Sequence, residues 1–200
     1  MDKGMVKNIL LCGVGGQGAI LTSKIFTEGL MRAGFDVKMS EVHGMAQRGG
    51  SVSTQVRYGD KVASPLLGKG QAEICVAFER MEAVRYADYI KPGGVCIVND
   101  YRLTPMSVAV GAAEYPANAI EAMEAGCRTI VIPAADIAIG LGNAKTMNIV
   151  LLGVLIKALG LDEIEGADWE EIMRELIPEK LLALNIEAFH AGLKAIDTVL

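Results

Sequence analysis

Residues 12–26 read CGVGGQGAILTSKIF, and three glycines in them, Gly13, Gly15 and Gly18, stand in the spacing G-x-G-x-x-G. Gly16 is a fourth glycine in the same turn. Glycine lets a backbone turn tightly and lets a phosphate approach its amides, and a helix starting there adds free N–H groups and the positive end of its dipole. The pattern follows an apolar, strand-like run and opens a helical period. Gly13, Gly15, Gly16, Gln17 and Gly18 are therefore candidates for holding an anion. Close helix–sheet packing is the other use of the same glycines.

A dinucleotide site also needs an acid near the end of the second strand, and Glu41 lies 23 residues past Gly18, a tolerable distance. The following stretch, EVHGMAQRGGSVSTQVRYG (41–59), is a glycine-rich loop carrying His43, Gln47, Arg48 and Gly49 and leading into a hairpin. A nicotinamide-binding half more usually continues with a crossover helix, which argues against that ligand. From a loop, Arg48 can grip an anion bidentately or form a surface ion pair. His43 can relay protons or serve as a hydrogen-bonded structural histidine, so it is a weak catalytic candidate. His190, in the last helix, reads as structural or interfacial. Asn143, Thr146 and Asn148 begin a helix after GLG, where capping is their first role and ligand contact can coexist with it.

The elements that must position these residues follow from periodicity. A buried strand is predicted at 6–12. A helix follows at 19–33, with Thr22, Ile25, Phe26, Gly29, Leu30 and Ala33 on one face and Gly34 as its stop. A second strand covers 36–42, and the alternating 51–64, with its Gly-Asp turn, reads as an antiparallel hairpin. Strands at 73–79, 95–100 and 128–134 alternate with a helix running to about Ile90 and closed by KPGG, and with a helix at 116–126. Helices at about 135–141, 145–159, 168–176 and 179–200 complete the chain. Residues 1–200 thus read as a single Rossmann-like α/β domain with a largely parallel sheet, a hairpin, helices on both faces and a helical C-terminus. Strands one and two are expected as neighbours, bringing the glycine turn and the Arg48 loop to one sheet edge. In the last helix Leu182, Ile186, Phe189, Leu193, Ile196 and Leu200 form one apolar stripe, suited to packing on the chain's own sheet or to seating a partner.

The 200 residues are 52% hydrophobic and 22% charged with a net charge of −5, and no stretch concentrates Lys and Arg, so nucleic acid is not an expected partner. The start, MDKGMVKN, carries no signal-peptide pattern. The most apolar run, 146–156, falls short of the roughly 20 residues a bilayer requires. A soluble cytoplasmic protein without membrane contact is the expectation. Cys12, Cys75, Cys96 and Cys127 lie 63, 21 and 31 residues apart, without C-x-x-C or a Cys–His cluster. They read as small hydrophobes of the core, with no metal site and no disulfide framework.

Two stretches, GVGGQGAILTSKIF and SEVHGMAQRGGSVSTQVRYG, resemble the gamma subunit or gamma domain of the 2-oxoacid:ferredoxin oxidoreductases. Within that family SEVHGMAQRGGSV looks most like the smaller subunit of the indolepyruvate enzymes, and GNAKTMNIVLLG (142–153) extends the likeness toward the C-terminus. The resemblance implies a part in CoA-dependent oxidative decarboxylation of a 2-oxoacid to an acyl-CoA and carbon dioxide, with coenzyme A as co-substrate. It places thiamine diphosphate and Fe–S clusters on partner subunits, with ferredoxin as electron acceptor. This agrees with the absence of clustered cysteines and of a thiamine-binding G-D-G…N-N arrangement. The chain alone would then be inactive, and would be free to form a homodimer in isolation. The rival readings are a stand-alone NAD(P)-dependent oxidoreductase and a purely structural subunit.

Overall fold

The run KNILLCGV forms strand β1, Lys7–Val14, with its last six residues buried, in a computed structural model that describes residues 5–44 and 49–198. Helix α1, Ala19–Arg32, follows and buries the expected face, Thr22, Ile25, Phe26, Gly29 and Leu30, while Ala33 stays half-exposed. It stops at Gly34, whose φ of +83° allows a Schellman closure: Phe35 N–H donates to Leu30 O and Gly34 N–H to Met31 O. Strands β2 (Asp36–His43), β3 (Ser51–Gly59), β4 (Ala72–Ala77), β5 (Ile90–Asn99) and β6 (Arg128–Ile132) complete a six-stranded sheet in the order β2-β3-β1-β4-β5-β6. Between them lie α2 (Arg80–Arg85), α3 (Met106–Ala109) and α4 (Ala119–Gly126), and the chain ends in α5 (Ala134–Gly140), α6 (Met147–Ala158), α7 (Trp169–Leu176) and α8 (Glu179–Asp197).

Strands β1, β4, β5 and β6 run parallel as neighbours, and β3 is antiparallel to both β1 and β2. Two expectations change here. Residues 51–64 are not a hairpin of their own: 51–59 is one strand, paired along all of β1 from Lys7↔Tyr58 to Val14↔Ser51 and along β2 from Asp36↔Gly59 to His43↔Val52. A strand flanked by two full-length partners satisfies its backbone groups on both edges, which a short hairpin cannot. Consequently β1 and β2 are not neighbours, because β3 lies between them; they still point the same way, and their carboxyl ends open on one rim. The helix expected to run to Ile90 stops at Arg85, and Lys91–Gly94 lie within β5, whose pairing with β4 shifts register between Ala72 and Ile74.

Helices cover both faces unequally. The larger core packs Ile9, Leu11, Val76 and Ile97 of the sheet against Phe26 of α1 and against α6, in which every residue from Met147 to Ile156 is buried. The smaller core lies under α2 and α4 and contains Leu10, Cys12, Cys75, Cys96 and Met123. The stripe on α8 is used within the chain: Phe189 and Ile196 are buried, and Leu182, Ile186 and Leu193 pack half-buried against the larger core. Leu200 lies outside the described residues. No helix among the described residues is long and apolar enough to cross a membrane.

Helices α6 and α8 touch backbone to backbone. A Cβ on Gly153 would fall on the Phe189 carbonyl, and one on Gly192 on the Val150 carbonyl. Replacing Gly192 by Val forces the two helices apart. The expected cost is about 3 kcal/mol, the upper end for overpacking a core, read as a lower urea midpoint. Gly140→Ala, with open space at its Cβ, should stay within about 1 kcal/mol of the parent.

Candidate functional site

Strand β1 delivers its last residue into the glycine turn, and Gln17 holds that turn from inside. The Val14 N–H donates to Gln17 Oε1 at 2.7 Å, and Gln17 Nε2 donates to the Phe78 carbonyl at 3.1 Å. With both ends of its amide occupied and 8% of its surface exposed, Gln17 braces the turn. Gly13 has no room for a side chain, since a Cβ would meet Phe78 Cβ at 2.8 Å and Gln17 Oε1 at 2.9 Å. Gly16 turns with φ +104° over open space, and Gly18 with φ +85° beside Asn148.

Gly18 is also the N-cap of α1. It has no side chain to accept from the first amides, and the first turn of α1 carries no acid. The amide donors of that turn and the positive end of the dipole are therefore not neutralised by a cap or an acid of the helix itself. The Gly18 carbonyl faces the other way and accepts from Thr22 N–H at 3.1 Å, Thr22 Oγ1 at 3.3 Å and Asn148 Nδ2 at 3.3 Å. Thr22 Oγ1 also reaches the Asn148 carbonyl at 3.2 Å, so the starts of α1 and α6 are tied together.

The turn also holds the base of the loop between β2 and β3. Gly15 N–H donates to Gly50 O at 2.8 Å, and Gly49 N–H donates to Gly15 O at 3.1 Å. Gly49, with φ +77°, is thus fastened to the glycine turn. Gln47 and Arg48 lie outside the described residues.

A pocket of about 400 Å³ opens between the first turn of α1 and the rim of β2 and β3. Gly15, Gly16, Gly18, Ala19 and Ile20 form one side, and Glu41, His43, Val52 and Thr54 belong to the other. Val37 and Met39 of β2 and Val56 of β3 lie on the face toward α1. Strand alternation carries that face on to Glu41 and His43, paired in register with Thr54 and Val52. His43 is exposed at the rim, its Nδ1 3.3 Å from the Gly44 carbonyl. The structure thus brings Gly15, Gly16 and Gly18 together with Glu41 and His43. It does not bring Asn143 and Thr146 into this pocket. Asn143 Oδ1 accepts from Lys145 N–H at 3.0 Å as a helix cap, and Thr146 Oγ1 donates to the Asn143 carbonyl at 2.9 Å. The residue of that segment in contact with the turn is Asn148. Asn99 Nδ2 donates to the same Phe78 carbonyl at 3.2 Å, and sequence spacing offers no signal for the roles of Phe78 and Asn99.

The cysteines come together more than their spacing suggests. Cys12, Cys75 and Cys96 share the smaller core, with Cys12 and Cys75 sulfurs 3.7 Å apart and Cys75 opposite Cys96 in register. Burial raises the Cys12 thiol above its usual pKa; Cys75 is pushed well above it by its hydrogen bond to Cys12 and by burial, and Cys96 by Cys75 and by burial. Among the described residues no group of three His, Cys, Asp or Glu side chains is placed to hold a metal ion.

Comparison with known proteins places this geometry. The indolepyruvate oxidoreductase subunit IorB of Pyrococcus horikoshii is 36% identical over 197 residues, which cover 96% of this chain and 97% of that subunit. The gamma subunit of the keto/oxoacid ferredoxin oxidoreductase from Geobacter sulfurreducens superposes with a TM-score of 0.70 at 25% identity, over 96% of this chain and 99% of that one. The 2-oxoglutarate:ferredoxin oxidoreductase from Magnetococcus marinus, solved with 2-oxoglutarate, coenzyme A and succinyl-CoA bound, shares the fold with a TM-score of 0.73 at 22% identity; the match covers 98% of this chain and 32% of that one. Residues 8–195 match the family model described as pyruvate ferredoxin/flavodoxin oxidoreductase. That span runs from β1 into the last turns of α8 and takes in the pocket, and the chain belongs to this family.

Proposed function

We propose that this chain is the gamma-type subunit of an indolepyruvate-type 2-oxoacid:ferredoxin oxidoreductase and that it binds coenzyme A at the rim pocket. The observation that carries the substrate class is the end-to-end similarity to the subunit named for indolepyruvate oxidation. The pocket supports the coenzyme A assignment: a glycine turn and an acid-free helix start offer backbone donors to a pyrophosphate. Arg48, outside the described residues, is proposed as the cation. Gly13, Gly15, Gly16 and Gly18 shape the turn, Gln17 braces it, and Gly49 anchors the Arg48 loop to it. Asn143 and Thr146 cap the segment that leads into α6 and act through Asn148, which touches the turn at Gly18. Glu41 and His43 stand on the far wall.

Thiamine diphosphate and iron–sulfur clusters, carried by partner subunits, supply the decarboxylation and electron transfer, and ferredoxin takes the electrons. This chain's residues bind and orient the thiol co-substrate. Its place is the cytoplasm. A nicotinamide reading is disfavoured by topology, because Glu41 lies two strands away from β1, whereas an acid that meets the ribose in such sites belongs to the adjacent strand.

The test uses the enzyme assembled with its thiamine- and cluster-binding partner, assayed with indolepyruvate, coenzyme A and ferredoxin. Arg48→Ala should raise the KM for coenzyme A about tenfold to hundredfold, the loss of one charge-assisted contact of about 1.5–3 kcal/mol, at unchanged Tm. Gly16→Val, which forces a β-branched residue into the left-handed region, should do at least as much damage. Unchanged coenzyme A kinetics in both variants replaces this reading with that of a structural subunit.

The isolated chain should show no turnover with indolepyruvate, coenzyme A, added thiamine diphosphate and a viologen dye. Titrated with a disulfide reagent, the native chain should expose at most the half-buried Cys127, and all four thiols after unfolding. Fast reaction of two or more thiols in the native chain contradicts the protonated, buried state of Cys12, Cys75 and Cys96.

A further inference from the structure

The end of the sheet opposite the glycine turn carries a second pocket, also of about 400 Å³, within the roughly 300–1,000 Å³ that small-molecule sites enclose. It lies where β1 and β4 begin, beside the ends of α1 and α6. Phe35, Tyr58, Ile74 and Leu159 give it an apolar wall, with the two aromatic rings set edge to face at 5.3 Å. Both helix ends are closed by their own chain there. Gly34 and Phe35 N–H groups cap α1, and Gly160 and Leu161 N–H groups donate to the Lys157 and Ile156 carbonyls of α6. These carbonyls, which would otherwise draw a cation toward the pocket, are occupied.

Two polar groups in the lining are left without a bond. Tyr58 lies opposite Lys7 in register, so both side chains stand on the same face of the sheet. Tyr58 is only 3% exposed; its hydroxyl has no hydrogen-bond partner among the described residues, yet it is not sealed in the core. Burial and the Glu73 charge push its pKa up to about 12, so it keeps its proton and stays a donor. The Lys7 ammonium forms no ion pair among the described residues. Glu73, also in the lining, is already matched. Lys91 Nζ lies 3.0 Å from its Oε1, and Asn8 N–H donates to its Oε2 at 2.6 Å. Lys7 therefore offers a positive charge, and Tyr58 an O–H donor, beside an apolar wall. A buried donor without an acceptor is costly, and a ligand oxygen removes that cost.

We infer that this pocket is a second ligand site, for a small monocarboxylic acid with an aromatic or branched apolar body. The carboxylate is held by Lys7 and the Tyr58 hydroxyl, and the body lies against Phe35, Ile74 and Leu159. The assignment does not depend on the coenzyme A reading, because the two pockets lie at opposite ends of β1 and α1.

The test titrates the full chain with phenylacetate by calorimetry and reads position from the signals of isotope-labelled methionine methyls. Binding should saturate at about 1 mM or below. The methyl of Met5, which lines the pocket, should shift, and that of Met106, on α3 at the other end of the sheet, should not. Lys7→Gln should weaken binding about tenfold, and Tyr58→Phe, which keeps the ring, about threefold to tenfold, both at unchanged Tm. The alcohol 2-phenylethanol, the same body without the charge, should bind at least about tenfold more weakly than phenylacetate. Equal binding of the two reduces the pocket to an apolar cavity and overturns the assignment. Tighter binding of phenethylamine also overturns it, by making Glu73 the governing group. Phenylacetate that fails to saturate, leaves the Met5 methyl unmoved, or binds both variants as tightly as the parent overturns it as well.

Discussion

Two buried side-chain amides, Gln17 and Asn99, donate to one acceptor, the Phe78 carbonyl, at 3.1 and 3.2 Å, and the carboxyl rim of the sheet depends on that junction. The other end of the Gln17 amide accepts from Val14 N–H, and that of Asn99 accepts from Ala135 N–H at 3.3 Å. Phe78 N–H in turn donates to the Cys12 carbonyl at 2.8 Å. One connected set of bonds thus ties the ends of β1, β4 and β5 to the start of α5. All its side chains are buried, so each member lost leaves a partner without water, at about 1–3 kcal/mol apiece. Such a network fixes geometry more strongly than an apolar contact of the same area, because hydrogen bonds are directional and the low dielectric strengthens them.

That junction explains why the turn above it is made of glycine. Phe78 reaches up against Gly13, where a Cβ would overlap it, so the strand ends lie against each other without side chains between them. The turn is held by the Gln17 brace from below and by Gly49 and Gly50 from the side, and it needs no side chain of its own to keep its shape. Asn148 carries the constraint further. It packs on Gly18, accepts from Thr22, and belongs to α6, the helix buried along nearly its whole length and locked to α8 at Gly153 and Gly192. The backbone donors at the start of α1 are therefore preorganised by the core. A ligand meeting them finds donors already in place and has little ordering to cause, which is where affinity is otherwise lost.

Much of this was legible in the sequence, and what was not has a common cause. The glycine turn, the face of α1 and the strands of the parallel half are local patterns, written in consecutive residues. The alternation of 51–59 was equally plain, with Val56 and Tyr58 on the face toward the larger core and Val52 on the same face by period two. What alternation cannot state is which strands lie to either side. The Gly-Asp pair at 59–60 looks like the tip of a hairpin, whereas the antiparallel partner of β3 is β2, on the other side of the stretch read as a binding segment. Once β3 is inserted between β1 and β2, Glu41 moves from the strand next to the glycine turn to the outermost strand, two strands away. The same limit applies to the cysteines. Spacings of 63 and 21 residues say nothing of Cys12, Cys75 and Cys96 meeting in one core, because three parallel neighbours bring residues together by register and not by distance along the chain. Gln17 shows the reverse case. Its position in the turn was evident, but its side chain turns inward to a carbonyl 61 residues away, and only the fold decides between a ligand and a brace. Residues whose partners are local announce their role in the sequence. Those whose partners lie on another strand acquire it only when the sheet order is known, and in this protein the far wall of the pocket is of the second kind.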